Sequence, residues 1–110
     1  VTGGQSGCAL MREPALARHL IAATVAGTRR PVTVKMRLGW DDASLNAPEI
    51  ARIAEGEGAR LLTVHGRTRN QFYEGRADWR RIGAVVAAVG VPVIANGDVT
   101  DTASATAALE

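Results

Sequence analysis

A strand with a polar end recurs in this chain about every thirty residues, and that period restricts the fold more than any other feature. The first copy is Pro31-Val32-Thr33-Val34-Lys35-Met36-Arg37, the second Thr63-Val64-His65-Gly66-Arg67, and the third Val93-Ile94-Ala95-Asn96-Gly97-Asp98. Strand alternation puts Thr33, Lys35 and Arg37 on one face, with Val32, Val34 and Met36 on the other. Thr63, His65 and Arg67 repeat that order, and Asn96 and Asp98 take the same places in the third copy. Lys35 is the only lysine; the other basic residues, His aside, are all arginine.

Helical patterns separate the copies. Pro14 suits a first helical turn, Leu16, Leu20 and Ala23 recur on one face, and Gly27 ends the segment. A second helix is expected over 46–57, where Asn46 and Glu49 resemble a capping box and Ile50, Ile53 and Ala54 form the stripe. The second strand is placed at 61–65, with a polar loop from Gly66 to Ala77. Asp78 caps a third helix carrying Ile82, Val85, Val86 and Val89, the third strand is placed at 91–95, and Asp101 caps a fourth helix. The predicted fold is therefore α/β, with about three parallel strands and four helices. Strand one is polar on one face, which favours an arc of a TIM-type (β/α)8 barrel over an open doubly wound sheet. Three strands cannot close a barrel, so the 110 residues read as the central part of a longer catalytic domain.

The bulk numbers narrow function only slightly. A net charge of +2 and 22% charged residues are ordinary for a globular protein. One Cys excludes an internal disulfide framework and fits a reducing compartment. No apolar run reaches the roughly 20 residues of a membrane span, and residues 1–8 are loop by composition rather than a leader, so a cytoplasmic location is expected. Gly3, Gly4 and Gly7 allow backbone approach to a phosphate, but their spacing fits neither phosphate-binding fingerprint.

In a barrel the C-terminal strand ends form the catalytic mouth. That rule gathers Lys35, Arg37, His65, Arg67, Asn96 and Asp98, a set able to neutralise an anion and hydrogen-bond a planar heterocycle. Phosphate, flavin and sugar-phosphate ligands stay open at this point. Each residue also has a plainer explanation. Lys35 has the form of a snorkelling strand-end lysine, His65 of a structural histidine, and Asn96-Gly97-Asp98 of an ordinary turn; the repeat tips the balance towards function. Arg67 and Arg69 near Tyr73 and Arg76 fit either a solvated loop or a nucleic-acid contact set. His19 reads as surface, Trp40 and Trp79 as packing residues, and Cys8 as a bystander because no activating group lies near it in sequence.

Four stretches carry a family resemblance: Gly4-Gln5-Ser6-Gly7 followed by Ala9-Leu10-Met11-Arg12; Pro31 through Asp41; Val64-His65-Gly66-Arg67-Thr68-Arg69 with Gln71, Tyr73, Gly75 and Asp78-Trp79; and Asn96-Gly97-Asp98. Over essentially its whole length the chain resembles the tRNA-dihydrouridine synthases, most closely their bacterial branch. The resemblance implies an FMN-dependent barrel enzyme. In it NADPH reduces the flavin, hydride passes to C6 of a uracil in tRNA, and a cysteine thiol gives a proton to C5. By motif match Lys35, His65, Asn96, Gly97 and Asp98 would contact the cofactor, Lys35 as a fixed cation against the isoalloxazine. Arg37, Tyr73 and Arg67 would face the substrate uridine, which must leave its stack to reach the flavin. No metal and no membrane are implied, and a monomer is expected for the intact protein.

The chain also departs from the family pattern. The family's Asn-Met-Gly-Cys-Pro loop would fall before Val1, so no catalytic residue is assigned here and Cys8 is not given that role. The Gly-Arg phosphate loop and the helical tRNA-binding domain would follow Glu110, so this piece alone is expected to be inactive. Two other readings stand beside this one. One is a barrel aldolase or isomerase with Lys35 as a Schiff-base lysine. The other is a non-catalytic RNA-binding piece using Arg67, Arg69 and Tyr73.

Overall fold

The computed structural model describes residues 7–110. Gly3, Gly4 and most of the Gly4-Gln5-Ser6-Gly7 stretch lie outside the described residues. A 3-10 turn, Gly7–Arg12, leads into α1 (Pro14–Ala26), β1 (Thr33–Arg37), α2 (Ala47–Gly56), β2 (Leu61–His65), α3 (Trp79–Ala88), β3 (Val93–Asn96) and α4 (Thr102–Leu109). The three strands form one parallel sheet in the order β1-β2-β3. The predicted α/β alternation is the observed one.

Strand parity separates the two faces of this sheet. Met36, Leu62 and Val64 are buried against Ile50, Ala51 and Ala54 of α2 and Ile82 and Val85 of α3. That single-sided core is the main source of stability, since apolar burial is worth about 25 cal/mol per Å². The opposite face carries Thr33, Lys35, Thr63, Ile94 and Asn96, all exposed or half-buried. An open doubly wound sheet has helices over both faces, whereas here the described helices that pack on the sheet, α2 and α3, cover the Met36-Leu62-Val64 face, as in the wall of a barrel.

Local chemistry fixes several boundaries. The Asp78 side chain accepts from Arg81 N–H at 3.1 Å and starts α3. Asp101 accepts from Ser104 N–H at 2.8 Å while Ser104 Oγ accepts from Asp101 N–H at 3.0 Å, a complete capping box. That reciprocal cap starts α4, a helix with no buried residue among its eight.

Three local expectations need correction. Asn46 does not cap α2 with its side chain; its amide instead donates to Met11 C=O at 2.7 Å. Pro48 removes one of the amides such a cap would serve. On α1 the buried face centres on Ala17 with Ile21, whereas Leu16 and Leu20 are 44% and 46% exposed. The helix is apolar nearly all round, so its period does not select a face. The third strand runs Val93–Asn96 rather than 91–95. Pro92 contributes only its carbonyl, accepting from Leu62 N–H at 3.0 Å.

Leu62 is fully buried at the centre of the sheet. Leu62→Ala in the full-length protein should lower unfolding stability by about 2–5 kcal/mol, read from the denaturant midpoint.

Candidate functional site

Register brings the polar strand ends together. β1 and β2 pair Lys35 with Thr63 and Arg37 with His65; β2 and β3 pair Thr63 with Ile94 and His65 with Asn96. Two rows therefore cross the open face, Lys35-Thr63-Ile94 and, nearer the C-terminal edge, Arg37-His65-Asn96. The shift of β3 matters here, because it makes Asn96 the last residue of a strand rather than part of a turn.

Past the sheet the loops continue in register. Leu38 N–H donates to Arg67 C=O at 3.1 Å, Arg69 N–H to Gly39 C=O at 2.9 Å, and Asn70 N–H to Trp40 C=O at 3.0 Å. Arg37 braces this loop by donating from Nη1 to Thr68 C=O at 3.0 Å and Phe72 C=O at 2.6 Å. Its guanidinium lies 5.5 Å from the centroid of Tyr73, which is 77% exposed. Trp40, expected to be a packing residue, is flanked by the guanidinium groups of Arg12 at 4.0 Å and Arg69 at 4.7 Å, and Arg69 also lies 5.0 Å from Phe72. Trp79 does pack on the core, and its indole N–H donates to Gly97 C=O at 2.9 Å, holding the Asn-Gly-Asp turn.

Arg67 differs most from expectation. Rather than facing a substrate, it is buried: Nε donates to Glu74 C=O at 3.1 Å, Nη2 to Gly75 C=O and Asp98 Oδ1 at 2.8 Å each, and Nη1 lies 3.2 Å from His65 Nε2. The cause is a tight turn, Arg67 N–H to His65 C=O at 2.8 Å, which ends the alternation at His65. Asp98 is likewise engaged, accepting from Arg67 and, through Oδ2, from Ala77 N–H at 2.7 Å. It holds this place with φ 62°, a left-handed conformation rare outside glycine.

Charge sets the protonation of the site. Burial first, then the cations of Arg37, Lys35 and Arg67, hold the His65 imidazole below its usual range. The Ala77 amide and then the Arg67 guanidinium hold the Asp98 carboxyl below the carboxylate range. Cys8 is pushed up by burial despite Arg37, Arg69 and Lys35. Its thiol lies near Met11 Sδ at 3.8 Å and Gly39 C=O at 3.9 Å, a resting place rather than an activated one.

A cavity of about 650 Å³ opens beside β1 and is lined in part by Lys35, Arg37, Arg69, Phe72 and Tyr73. His65 and Asn96 are not in its lining. It follows the unpaired edge of β1, whereas the polar rows lie on the open sheet face.

The family model described as dihydrouridine synthase (Dus) matches residues 1–110. The chain belongs to the dihydrouridine synthase family. It is 62% identical over 110 residues to a "Probable tRNA-dihydrouridine synthase" of Rhodobacter capsulatus, covering all of this chain and 34% of that protein. It is 64% identical over 99 residues to one of Rhizobium leguminosarum bv. phaseoli, covering 90% and 31%. With "tRNA-dihydrouridine synthase B" of Pseudomonas putida the identity is 47% over 105 residues, covering 96% and 31%. The chain thus spans about a third of the length of these relatives. As a dihydrouridine synthase segment it is a partial (β/α)8 barrel, and no helix among the described residues is long and apolar enough to cross a membrane.

In this dihydrouridine synthase segment, sequence reading missed the supports: Trp79 under Gly97, and the Arg67-Asp98 pair under His65. Gly97 sits at φ 107°, and a Cβ there would lie 2.7 Å from His65 Cδ2 and 2.9 Å from Ala77 Cβ. Gly97→Ala should cost about 2–4 kcal/mol of stability, from backbone strain and overlap together, measured by denaturant unfolding of the full-length protein. Both perturbed groups bind protons less readily when folded, so stability falls on acidification. The first loss should come as pH drops below the ordinary histidine value of 6.5, the second below the ordinary carboxylate value of 3.8. His65→Gln should flatten the first step, as read from unfolding midpoints between about pH 7.5 and about pH 5.5.

Proposed function

We propose that the protein carrying this chain is an FMN-dependent, NADPH-driven tRNA-dihydrouridine synthase, and that this segment supplies the inner wall of its flavin and uridine site. The observation that carries the reading is the convergence of Lys35, Arg37, His65 and Asn96 on one open sheet face at the C-terminal strand ends. The donor set fits a flavin. An exposed ammonium, a guanidinium, a neutral imidazole and an exposed amide match a planar ring system edged with carbonyl oxygens and ring nitrogens.

In this reading Lys35, His65 and the Asn96-Gly97-Asp98 turn hold the cofactor, with Asp98 acting through the turn it pins rather than through its occupied carboxylate. When bound, FMN supplies hydride transfer from NADPH to a uracil of tRNA. Lys35 would offer a cation to an electron-rich ring. Arg37 and Tyr73 hold the extruded uridine, Tyr73 giving a stacking face and Arg37 keeping that face in place through the carbonyls of Thr68 and Phe72. The Arg12-Trp40-Arg69-Phe72 ladder lies beside them and suits phosphates and unstacked bases. Arg67 is not among the substrate contacts, because it is buried and four of its five N–H groups are engaged inside the fold. The intact protein works in the cytoplasm as a monomer, and the groove along β1 seats a neighbouring barrel strand.

Lys35→Ala in the full-length protein should reduce bound FMN, or slow flavin reoxidation by tRNA by roughly 10²-fold. Unchanged flavin content and unchanged turnover would remove Lys35 from the site, and borohydride trapping of substrate on Lys35 would favour the aldolase reading instead. Arg37→Ala should cut turnover on tRNA by roughly 10²-fold while NADPH oxidation by a small acceptor continues; loss of both activities together would contradict a substrate role.

A further inference from the structure

His65 presents two edges. Its Cδ2–Nε2 edge is pressed against Gly97, as the 2.7 Å and 3.0 Å approaches to a hypothetical Gly97 Cβ show, and Nε2 meets Arg67 Nη1 at 3.2 Å. Nδ1, on the opposite edge, has no hydrogen-bond partner among the described residues. A guanidinium has only N–H donors and does not lose its proton in proteins. Nε2 must therefore be the acceptor in this contact, because a proton on it would set two donors face to face. Turning the ring over would put a C–H against Arg67 and lose the bond. The imidazole is thus neutral with its proton on Nδ1.

Arg67 cannot easily leave that position. It is 5% exposed and is held by the carbonyls of Glu74 and Gly75 and by Asp98, which is itself held by Ala77 N–H. We propose that Arg67 is a positioning residue: the Asp98-Arg67 pair locks His65 in its Nδ1–H form, so that the site always presents a hydrogen-bond donor, never an acceptor, to the ligand on the open sheet face. The ligand atom met there is an acceptor, a carbonyl oxygen or an unprotonated ring nitrogen of a heterocycle. This rests on the flavin reading for the identity of the ligand, but not for the tautomer. Burial and the neighbouring cations Arg37, Lys35 and Arg67 oppose protonation of the ring, with Asp98 as the counter-charge, so the donor persists at neutral pH.

The test is ¹⁵N NMR of the full-length protein labelled at histidine, stripped of flavin, at about pH 7 where an unperturbed imidazole is mostly neutral. Two-bond ¹H–¹⁵N correlations should show His65 protonated on Nδ1 alone. Arg67→Met should give a mixture of tautomers, raise the titration midpoint of His65 and weaken FMN binding about tenfold, the worth of one well-placed hydrogen bond. Arg67→Lys, which keeps a cationic donor, should restore part of the lock. An Nε2–H or doubly protonated ring in the wild type would overturn the proposal whatever the variants do. An unchanged tautomer in folded Arg67→Met would overturn the role of Arg67, and where that variant does not fold, an unchanged tautomer in Asp98→Asn, which loosens the pair that holds the guanidinium, would do the same. The expected tautomer in a protein without affinity for FMN would uphold the lock and sink the flavin reading.

Discussion

A guanidinium buried at the C-terminal strand ends has to find a carboxylate and carbonyl partners, and the mouth of this sheet is built around that requirement. Uncompensated burial of a charge is costly, so the partners of Arg67 are constrained with it. They come from three places: His65 at the end of β2, Glu74 and Gly75 in the loop beyond, and Asp98 after β3. One side chain thus fixes the relation of two strands and a loop. Asp98 extends the constraint to Ala77, next to the cap that starts α3. The left-handed backbone at Asp98 and the close approach at Gly97 follow from bringing that turn over the guanidinium.

The open face above gains its chemistry from this arrangement. Parallel pairing aligns side chains of like parity, so Arg37, His65 and Asn96 form one row although the chain between them forms two helices. Positive charge is concentrated there, and a histidine set among cations stays neutral. The site therefore separates its charged groups, Lys35 and Arg37, from a neutral donor at His65. Beside it, arginine planes stacked on Trp40, Phe72 and Tyr73 give a surface with both cationic edges and apolar faces, which is the combination unstacked bases bind.

Reading by alternation worked as far as the strands extend. Lys35, Arg37, His65 and Asn96 share a face because each lies within a strand or at its end, where the period of two holds. Extending the same count to Arg67 failed, because the chain turns at Gly66 and the guanidinium is taken up by Glu74 C=O, Gly75 C=O and Asp98 beyond the strand ends. The α1 stripe failed for another reason: Leu16, Ala17, Leu20 and Ile21 are all apolar, and only the position of neighbouring elements selects Ala17 and Ile21 for burial. At Asn46 the motif was present, but a carbonyl distant in sequence competed for the amide.

What the amino-acid order settled alone was whatever depends on near neighbours: the alternation of helix and strand, the caps at Asp78 and Asp101, and the polar face of β1. Those are decided by backbone preferences and hydrogen bonds spanning a few residues, so they are written locally. Tertiary structure alone decided that Arg67 and Asp98 meet, that Trp79 supports Gly97, and that Trp40 lies between two arginines. Each of those contacts joins positions far apart in the chain, and its geometry exists only once the strands have packed side by side.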